Sequence, residues 1–328
     1  MKFRKRLGIA SLMLYCRLFR KRMPLFVSWA ITHRCNHHCG YCDIPDLKTK
    51  ELTTSQIFKI IDELCSMGTK VLFFTGGEPL LRKDIGKIID YAKSEGLYVG
   101  ISSNGELVKE KINDIKKADM LQLSFDGPKE IHDRQRGKGS YDKVIEAINI
   151  AKKKKIESVV INSTITRYNY KFIDYILQIA KRYDIKVNFE PVEYMPLGKK
   201  KVGIFLLRQE NRKKVFDYLI KKKKNGNMIE NTIAGLKYFR DYPQKEKIEC
   251  VAFRITCVIA PNGNLFPCSF LENKIKPYNC IELGFKEAFN KSKPINCDSC
   301  VCNKILDLSK LFSLDLTAII DTITSSLK

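Results

Sequence analysis

From Pro24 onward, short apolar runs of strand character are separated, unit after unit, by segments whose apolar residues recur every three or four positions. The runs are LFVSWAI, KVLFF, LYVGIS, MLQLSF, SVVINS and IKVNFE. After Thr53, residues Ile57, Ile60, Ile61 and Leu64 line one helical face, with Thr53 and Gln56 as a capping-box pair and Gly68 as the stop. The next unit repeats the grammar with Ile85, Ile88, Ile89 and Ala92 before Gly96. Six strands each followed by a helix imply an α/β fold with a parallel sheet and right-handed crossovers. The pattern leaves an open sheet and a barrel of fewer than eight units as alternatives, and either one binds ligands at the carboxyl ends of its strands.

A chain of 328 residues exceeds what one core usually spans. The alternation fades around Asn225 to Lys247, and cysteines return beyond it. The expected division is a basic amphipathic segment (1–23), the α/β unit (24–235), a cysteine-rich domain (236–306) and a terminal amphipathic helix (307–328). The basic stretches KFRKR and RLFRKR flank LGIASLMLYC, which is shorter than the about 20 residues of a membrane span. Arg17, Arg20, Lys21 and Arg22 stand where a signal peptide would need small residues. An interfacial helix on an anionic membrane and a helix packed under the main domain both fit this segment. Near the other end, Leu316, Ile319, Ile320, Ile323 and Leu327 form a helical stripe whose ordinary partner is the protein's own body.

Lys and Arg number 59 against 36 Asp and Glu, and the net charge of +23 favours anionic partners. The densest runs, Lys152 to Lys155 and Lys221 to Lys224, fall at expected helix ends, where they complement the macrodipole. No interleaved aromatics offer base stacking, so nucleic acid is not the expected partner, although RNA modification is the reading the charge would support. Twelve clustered cysteines argue against a disulfide scaffold and for metal ligation in a reducing compartment, the cytoplasm, with peripheral contact at the inner face of the membrane as the alternative placement. Cys16 and Cys65 lie in apolar helical patterns and read as core.

In THRCNHHCGYCDIP, Cys35, Cys39 and Cys42 follow the first strand on the loop at its carboxyl end. Their spacing lets one short loop hold three corners of a cuboidal iron–sulfur cluster and leave the fourth iron open. A zinc site closed by His33, His37 or His38 is the alternative, and with it a noncatalytic zinc protein. One unit later, FFTGGEPLLRKD sets Gly76, Gly77 and Glu78 at the next strand end. Paired glycines allow a ligand close to the backbone, and Glu78 can accept from a ligand ammonium group, for which structural zinc has no use.

This cysteine triad followed by Gly-Gly-Glu-Pro resembles the radical S-adenosylmethionine (SAM) superfamily over about Pro24 to Glu193. The resemblance implies a partial (β/α)6 TIM-like barrel, a 4Fe-4S cluster on Cys35, Cys39 and Cys42, Tyr41 near the adenine, and Gly76, Gly77 and Glu78 at the methionine amino group. It further implies Ser102 and Asn104 near the ribose and carboxylate, Ser124 and Asp126 at the next strand end, and Arg134 or Arg136 reaching a carboxylate at the mouth. The implied reaction is reductive cleavage of SAM to a 5′-deoxyadenosyl radical that functionalises an unreactive C–H bond, with a ferredoxin or flavodoxin as reductant.

Cys250, Gly263, Cys268, Cys297 and Cys300 resemble the auxiliary-cluster region called a twitch domain, a shorter relative of the SPASM domain. The motif PNG reads as a hairpin turn bringing Cys250 and Cys268 together, with Cys297 and Cys300 as a knuckle. Cys257 and Cys302 are alternates for the one auxiliary Fe-S cluster expected, a zinc ribbon is the other reading, and Cys280 reads as packing. Peptides are the commonest substrates of the architecture it resembles. The basic start and apolar terminal helix point instead to a lipid or isoprenoid at a membrane surface.

Overall fold

The computed structural model describes residues 3–193, 202–243, 248–295, 297 and 299–327, with side chains between 6 and 324. Helix α1 (Phe3–Leu18) precedes six β/α units. Their strands are β1 (Phe26–Thr32), β2 (Val71–Gly76), β3 (Tyr98–Ser103), β4 (Met120–Ser124), β5 (Ser158–Ile165) and β6 (Lys186–Pro191). Between and after them run α2 (Thr54–Ser66), α3 (Ile85–Ser94), α4 (Val108–Ile115), α5 (Lys129–Arg136), α6 (Ser140–Lys153), α7 (Ile173–Tyr183) and α8 (Gln209–Lys224). The six strands pair in parallel in chain order and make the partial barrel.

Alternation along the strands explains the two faces of this sheet. Leu72, Phe74, Val99, Ile101, Leu121, Leu123, Ile161 and Phe189 are buried in one core with Ile57, Ile60, Ile61 and Leu64 of α2 and Ile85, Ile88, Ile89 and Ala92 of α3. The intervening positions are polar toward the strand ends, with Ser102, Gln122, Ser124, Asn162, Asn188 and Glu190 on the concave face. The expected start of α2 is present: Thr53 Oγ1 accepts from Gln56 N–H, and Gln56 Oε1 accepts from Thr53 N–H at 2.9 Å.

The later chain adds α9 (Ile233–Asp241), β7 (Thr256–Ile259), β8 (Asn264–Phe266), β9 (Tyr278–Asn279), α10 (Phe285–Lys291), α11 (Asn303–Phe312) and α12 (Leu316–Leu327). Strand β7 pairs in parallel with β1, so one sheet runs β6-β5-β4-β3-β2-β1-β7-β8-β9. The PNG turn is a hairpin, with Gly263 at φ +85° and β7 antiparallel to β8.

Two expectations need correction. The polar stretch after Asn225 contains α9, whose Leu236, Tyr238 and Phe239 are buried; it is capped by Thr232, which in turn bonds Asp307 of α11 at 2.6 Å. The stripe on α12 meets the body of the protein only at the half-buried Ile319. Leu316, Ile320 and Ile323 are exposed, because Asp321 is drawn inward by Lys223 and by the N–H of Ile233, turning the apolar side out; the side chain of Leu327 lies outside the described residues.

Candidate active site

Thr32 ends β1 and starts a polar knot beneath the cysteine loop. Its hydroxyl contacts Glu51, whose carboxylate also takes Arg34 at 2.7 Å and the buried Arg82 at 3.1 Å. Beyond it, Cys39 is buried while Cys35 and Cys42 are half-buried. The loop is held by Cys42 N–H to Cys39 O at 3.1 Å and Gly40 N–H to Gln135 O at 3.0 Å. The histidines are engaged elsewhere: His33 with Thr49 Oγ1 at 2.8 Å and His37 with Glu106, while His38 is exposed. Among the described residues no three His, Cys, Asp or Glu side chains converge on a single-ion position. A cuboidal cluster makes a different demand, since each thiolate meets its own iron.

The Gly-Gly-Glu segment lies against this loop. Gly77 N–H donates to Thr32 O and Glu78 N–H to Arg34 O, both at 2.8 Å. A Cβ on Gly76, whose φ is +128°, would stand 2.0 Å from Thr32 O, and one on Gly77 would stand 2.3 Å from Arg34 O. The close approach these glycines permit is therefore that of the chain's own backbone, which locks the two strand ends together. Glu78 is fully buried and accepts from Leu80 N–H at 3.1 Å, Ser103 Oγ at 3.1 Å and Asn104 N–H at 2.7 Å. Burial pushes its carboxyl up to about 7 against those bonds, and it takes part in none of the ion pairs among the described residues. It stands close enough to raise the Cys35 thiol as well, although burial is the larger cause there. A buried carboxylate with spare lone pairs and no counter-charge, beside the half-buried Cys35, fits an incoming ammonium group.

Asn104 bridges the two halves: its amide donates to Asn36 Oδ1 at 2.8 Å and points to Cys35 Sγ at 3.9 Å. Sequence alternation could have separated the serines of ISSNG. Ser103 bonds Glu78, whereas Ser102 is half-buried on the concave face, one strand from Ser124.

A triangle not foreseen from sequence supports Tyr41. Its hydroxyl donates to Asp126 at 3.0 Å, and Asp126 also takes Arg136 Nε at 2.6 Å and Thr164 N–H at 3.0 Å. Arg136 is thereby committed, because the fully buried Asp126 needs its charge, and it does not reach out to the mouth. Arg134 is exposed and lies 4.3 Å from the Tyr168 ring centre. Tyr41 meets Phe205 edge-on at 5.6 Å, in an apolar patch with Val192 and Val202 at the mouth.

Five cysteines of the later chain gather. An antiparallel bridge between Ile248 and Cys297 brings Cys250 and Cys297 into hydrogen-bonding contact. Cys268 neighbours Cys297, and Cys300 neighbours both. Cys302 joins through Cys300 and Cys268 and lies near Glu190 on the concave face. Burial pushes the Cys268 thiol to about 11 and Cys300 to about 12, and the neighbouring thiols add to both shifts, so four or five thiols share one site. That donor set fits an iron–sulfur cluster. Cys257 is not with them: it sits on β7 in the core beside Cys280. Asn303, directly after Cys302, donates to Asn188, which donates to Asn162 at 2.6 Å, which donates to Glu190 at 3.2 Å. This polar chain carries the concave face from the barrel to the second cysteine group.

The chain matches the radical SAM superfamily over residues 29–180. It is 27% identical over 289 residues to the mycofactocin maturase MftC of Mycolicibacterium smegmatis, covering 82% of this chain and 71% of the relative. It is 32% identical over 205 residues to the Fe-coproporphyrin III synthase of Methanosarcina barkeri, covering 60% of this chain and 51% of the relative. The SAM-bound structure of Streptococcus suis SuiB superposes with a TM-score of 0.69 at 16% identity, over 86% of this chain and 69% of that one. Over residues 29–180 the chain is similar to the radical SAM superfamily. It is a radical SAM enzyme, and its cofactors are a 4Fe-4S cluster and SAM.

Proposed function

We propose that this radical SAM enzyme functionalises an unreactive C–H bond of a peptide lying on the concave face, between the loop of Cys35, Cys39 and Cys42 and the group formed by Cys250, Cys268, Cys297 and Cys300. When bound, the 4Fe-4S cluster and SAM supply reductive cleavage to a 5′-deoxyadenosyl radical. The residues of the chain do the rest. Cys35, Cys39 and Cys42 hold the cluster. Glu78 receives the ammonium of SAM, and Asn104, tied to both Glu78 and Asn36, orients the same end. Tyr41, fixed by Asp126 and Arg136, presents its ring at the mouth to the adenine. Ser102 and Ser124 line the approach from the concave face, while Gly76 and Gly77 hold the Glu78 backbone in place.

The second group holds one auxiliary Fe-S cluster, with Cys302 a fifth thiol at its edge toward Glu190. The observation that carries the reading is that the concave face is polar and bracketed by two cysteine groups, one at the end of β1 and one beside Glu190. A peptide can present amide groups to the half-buried Asn162 and Glu190, which the buried Asn188 holds in place and which an isoprenoid cannot use. A structure of SuiB with its precursor peptide SuiA bound shares this fold, and MftC is named a maturase, both of which agree with a peptide. A ferredoxin or flavodoxin of the cytoplasm is the expected reductant.

The test has two arms. Anaerobically reconstituted protein with dithionite and SAM should be brown, carry iron and sulfide in equal amounts, and release 5′-deoxyadenosine; the Cys35→Ala, Cys39→Ala, Cys42→Ala triple variant should release none. Profiling of a deletion strain should then show a lost peptide modification. A lost tetrapyrrole, lipid or modified nucleoside with peptides unchanged would overturn the substrate.

A further inference from the structure

We propose that the end of the sheet opposite the mouth is a docking surface for an anionic lipid bilayer, formed by the outward faces of α1 and α12. Helix α1 is two-sided in an unusual sense. Ile9 and Cys16 are buried, and Leu12 and Met13 pack with Cys16 against Leu25, Val251, Ile255 and Phe312. The other side is apolar too: Leu7, Leu14 and Leu18 are 52%, 44% and 65% exposed, and Phe19 is 63% exposed with its ring 5.0 Å from that of Tyr15. On α12, Leu316, Ile320 and Ile323 are 74%, 60% and 55% exposed along one line. Isolated exposed leucines are ordinary, but two continuous helical stripes mark a contact surface.

Both stripes belong to one end of the molecule. Arg6 of α1 lies close to Tyr98 and Lys186, the first residues of β3 and β6, and Lys186 in turn lies close to Asp321 of α12. Leu25 and Ile255, against which α1 packs, immediately precede β1 and β7. The surface therefore lies under the amino ends of the strands, and the cysteine loop at their carboxyl ends is roughly 20 Å away across a strand of six residues.

Charge selects the occupant. The first 22 residues hold eight lysines and arginines, and no Asp or Glu occurs before Asp43. Arg20 and Lys21 are exposed beside Leu18 and Phe19. A second copy placed on this face would bring those cations against their own kind, whereas anionic headgroups complement them while the leucines enter the acyl boundary. No helix among the described residues is long and apolar enough to cross a membrane, so the contact is interfacial. The mouth then faces away from the bilayer and receives substrate from the water.

Cosedimentation of the anaerobically purified full chain tests this, using vesicles of phosphatidylcholine alone and vesicles in which about a third of the lipid is phosphatidylglycerol. Partition should be about tenfold or more higher on the anionic vesicles and should fall with salt. The pairs Leu18→Glu with Phe19→Glu, and Ile320→Glu with Ile323→Glu, should each lower it about tenfold, with circular dichroism and SAM cleavage unchanged. Arg20→Glu with Lys21→Glu should do so without touching the apolar stripe, and serves if either apolar pair unfolds. Equal partition on both vesicles, no loss in any variant, or a dimer in light scattering that the same variants dissolve would each overturn the proposal. None of these readouts involves a peptide, so they stand apart from the substrate.

Discussion

Glu78 has three hydrogen bonds and, among the described residues, no ion-pair partner, and its chemistry follows from that imbalance. Without ligand its carboxyl titrates near 7 rather than 4.5, so the folded protein holds a proton that the unfolded chain has released in between. Stability from this group is therefore full below about 4.5 and declines as pH rises through 7, by an amount on the order of a few kcal/mol. Chemical denaturation of the ligand-free protein at pH 5 and pH 8 should show the loss, and Glu78→Gln should flatten it. The ammonium of SAM favours the ionised form, so SAM should bind more tightly at pH 8 than at pH 6, and Glu78→Gln should weaken binding about tenfold or more at the higher pH, as measured by calorimetry. Gly76→Ala meets Thr32 O at a positive φ and should cost about 2 kcal/mol or more, read as a lower denaturation midpoint. Glu78 and the cysteine triad were legible because their neighbours in sequence are their neighbours in function. Arg136 was not, because the buried Asp126 that claims it lies ten residues away, on the other side of a turn.

Helices whose apolar period faces the sheet were readable residue by residue, down to the Thr53 cap of α2, because burial and periodicity agree there. Thr53→Ala should lower stability by about 1 kcal/mol in equilibrium unfolding. Helix α9 was missed because its formation rests on Asp307, 75 residues further on, more than on its own pattern. For α12 periodicity gave the stripe but not its direction, which Lys223 decides through Asp321. The tie between Asp126 and Arg136 acts at this scale as well, since α5 and the cysteine loop meet there. Asp126→Asn leaves a buried guanidinium without a partner and should cost about 3–5 kcal/mol, with Tyr41 released.

At the scale of the whole molecule, the strand count and parallel order followed from the alternation, but the union of the cysteine-rich segment with the barrel did not. Strand β7 is four residues long, and nothing local announces that β1 is its neighbour. The same pairing buries Cys257 in the core beside Cys280 and leaves Cys250, Cys268, Cys297, Cys300 and Cys302 together at the edge of the concave face. Cys268→Ser should accordingly lower bound iron and sulfide by one cluster's worth, whereas Cys257→Ser should leave both unchanged, as elemental analysis after anaerobic reconstitution would show. Because β1 leads into one cysteine group while β7 follows Cys250 and β8 precedes Cys268, ladder hydrogen bonds set the gap between the two cysteine groups once, when the sheet forms. Were both groups to hold Fe-S clusters, electron tunnelling across that gap would have a rate written into the backbone and would need no hinge to bring donor and acceptor within range.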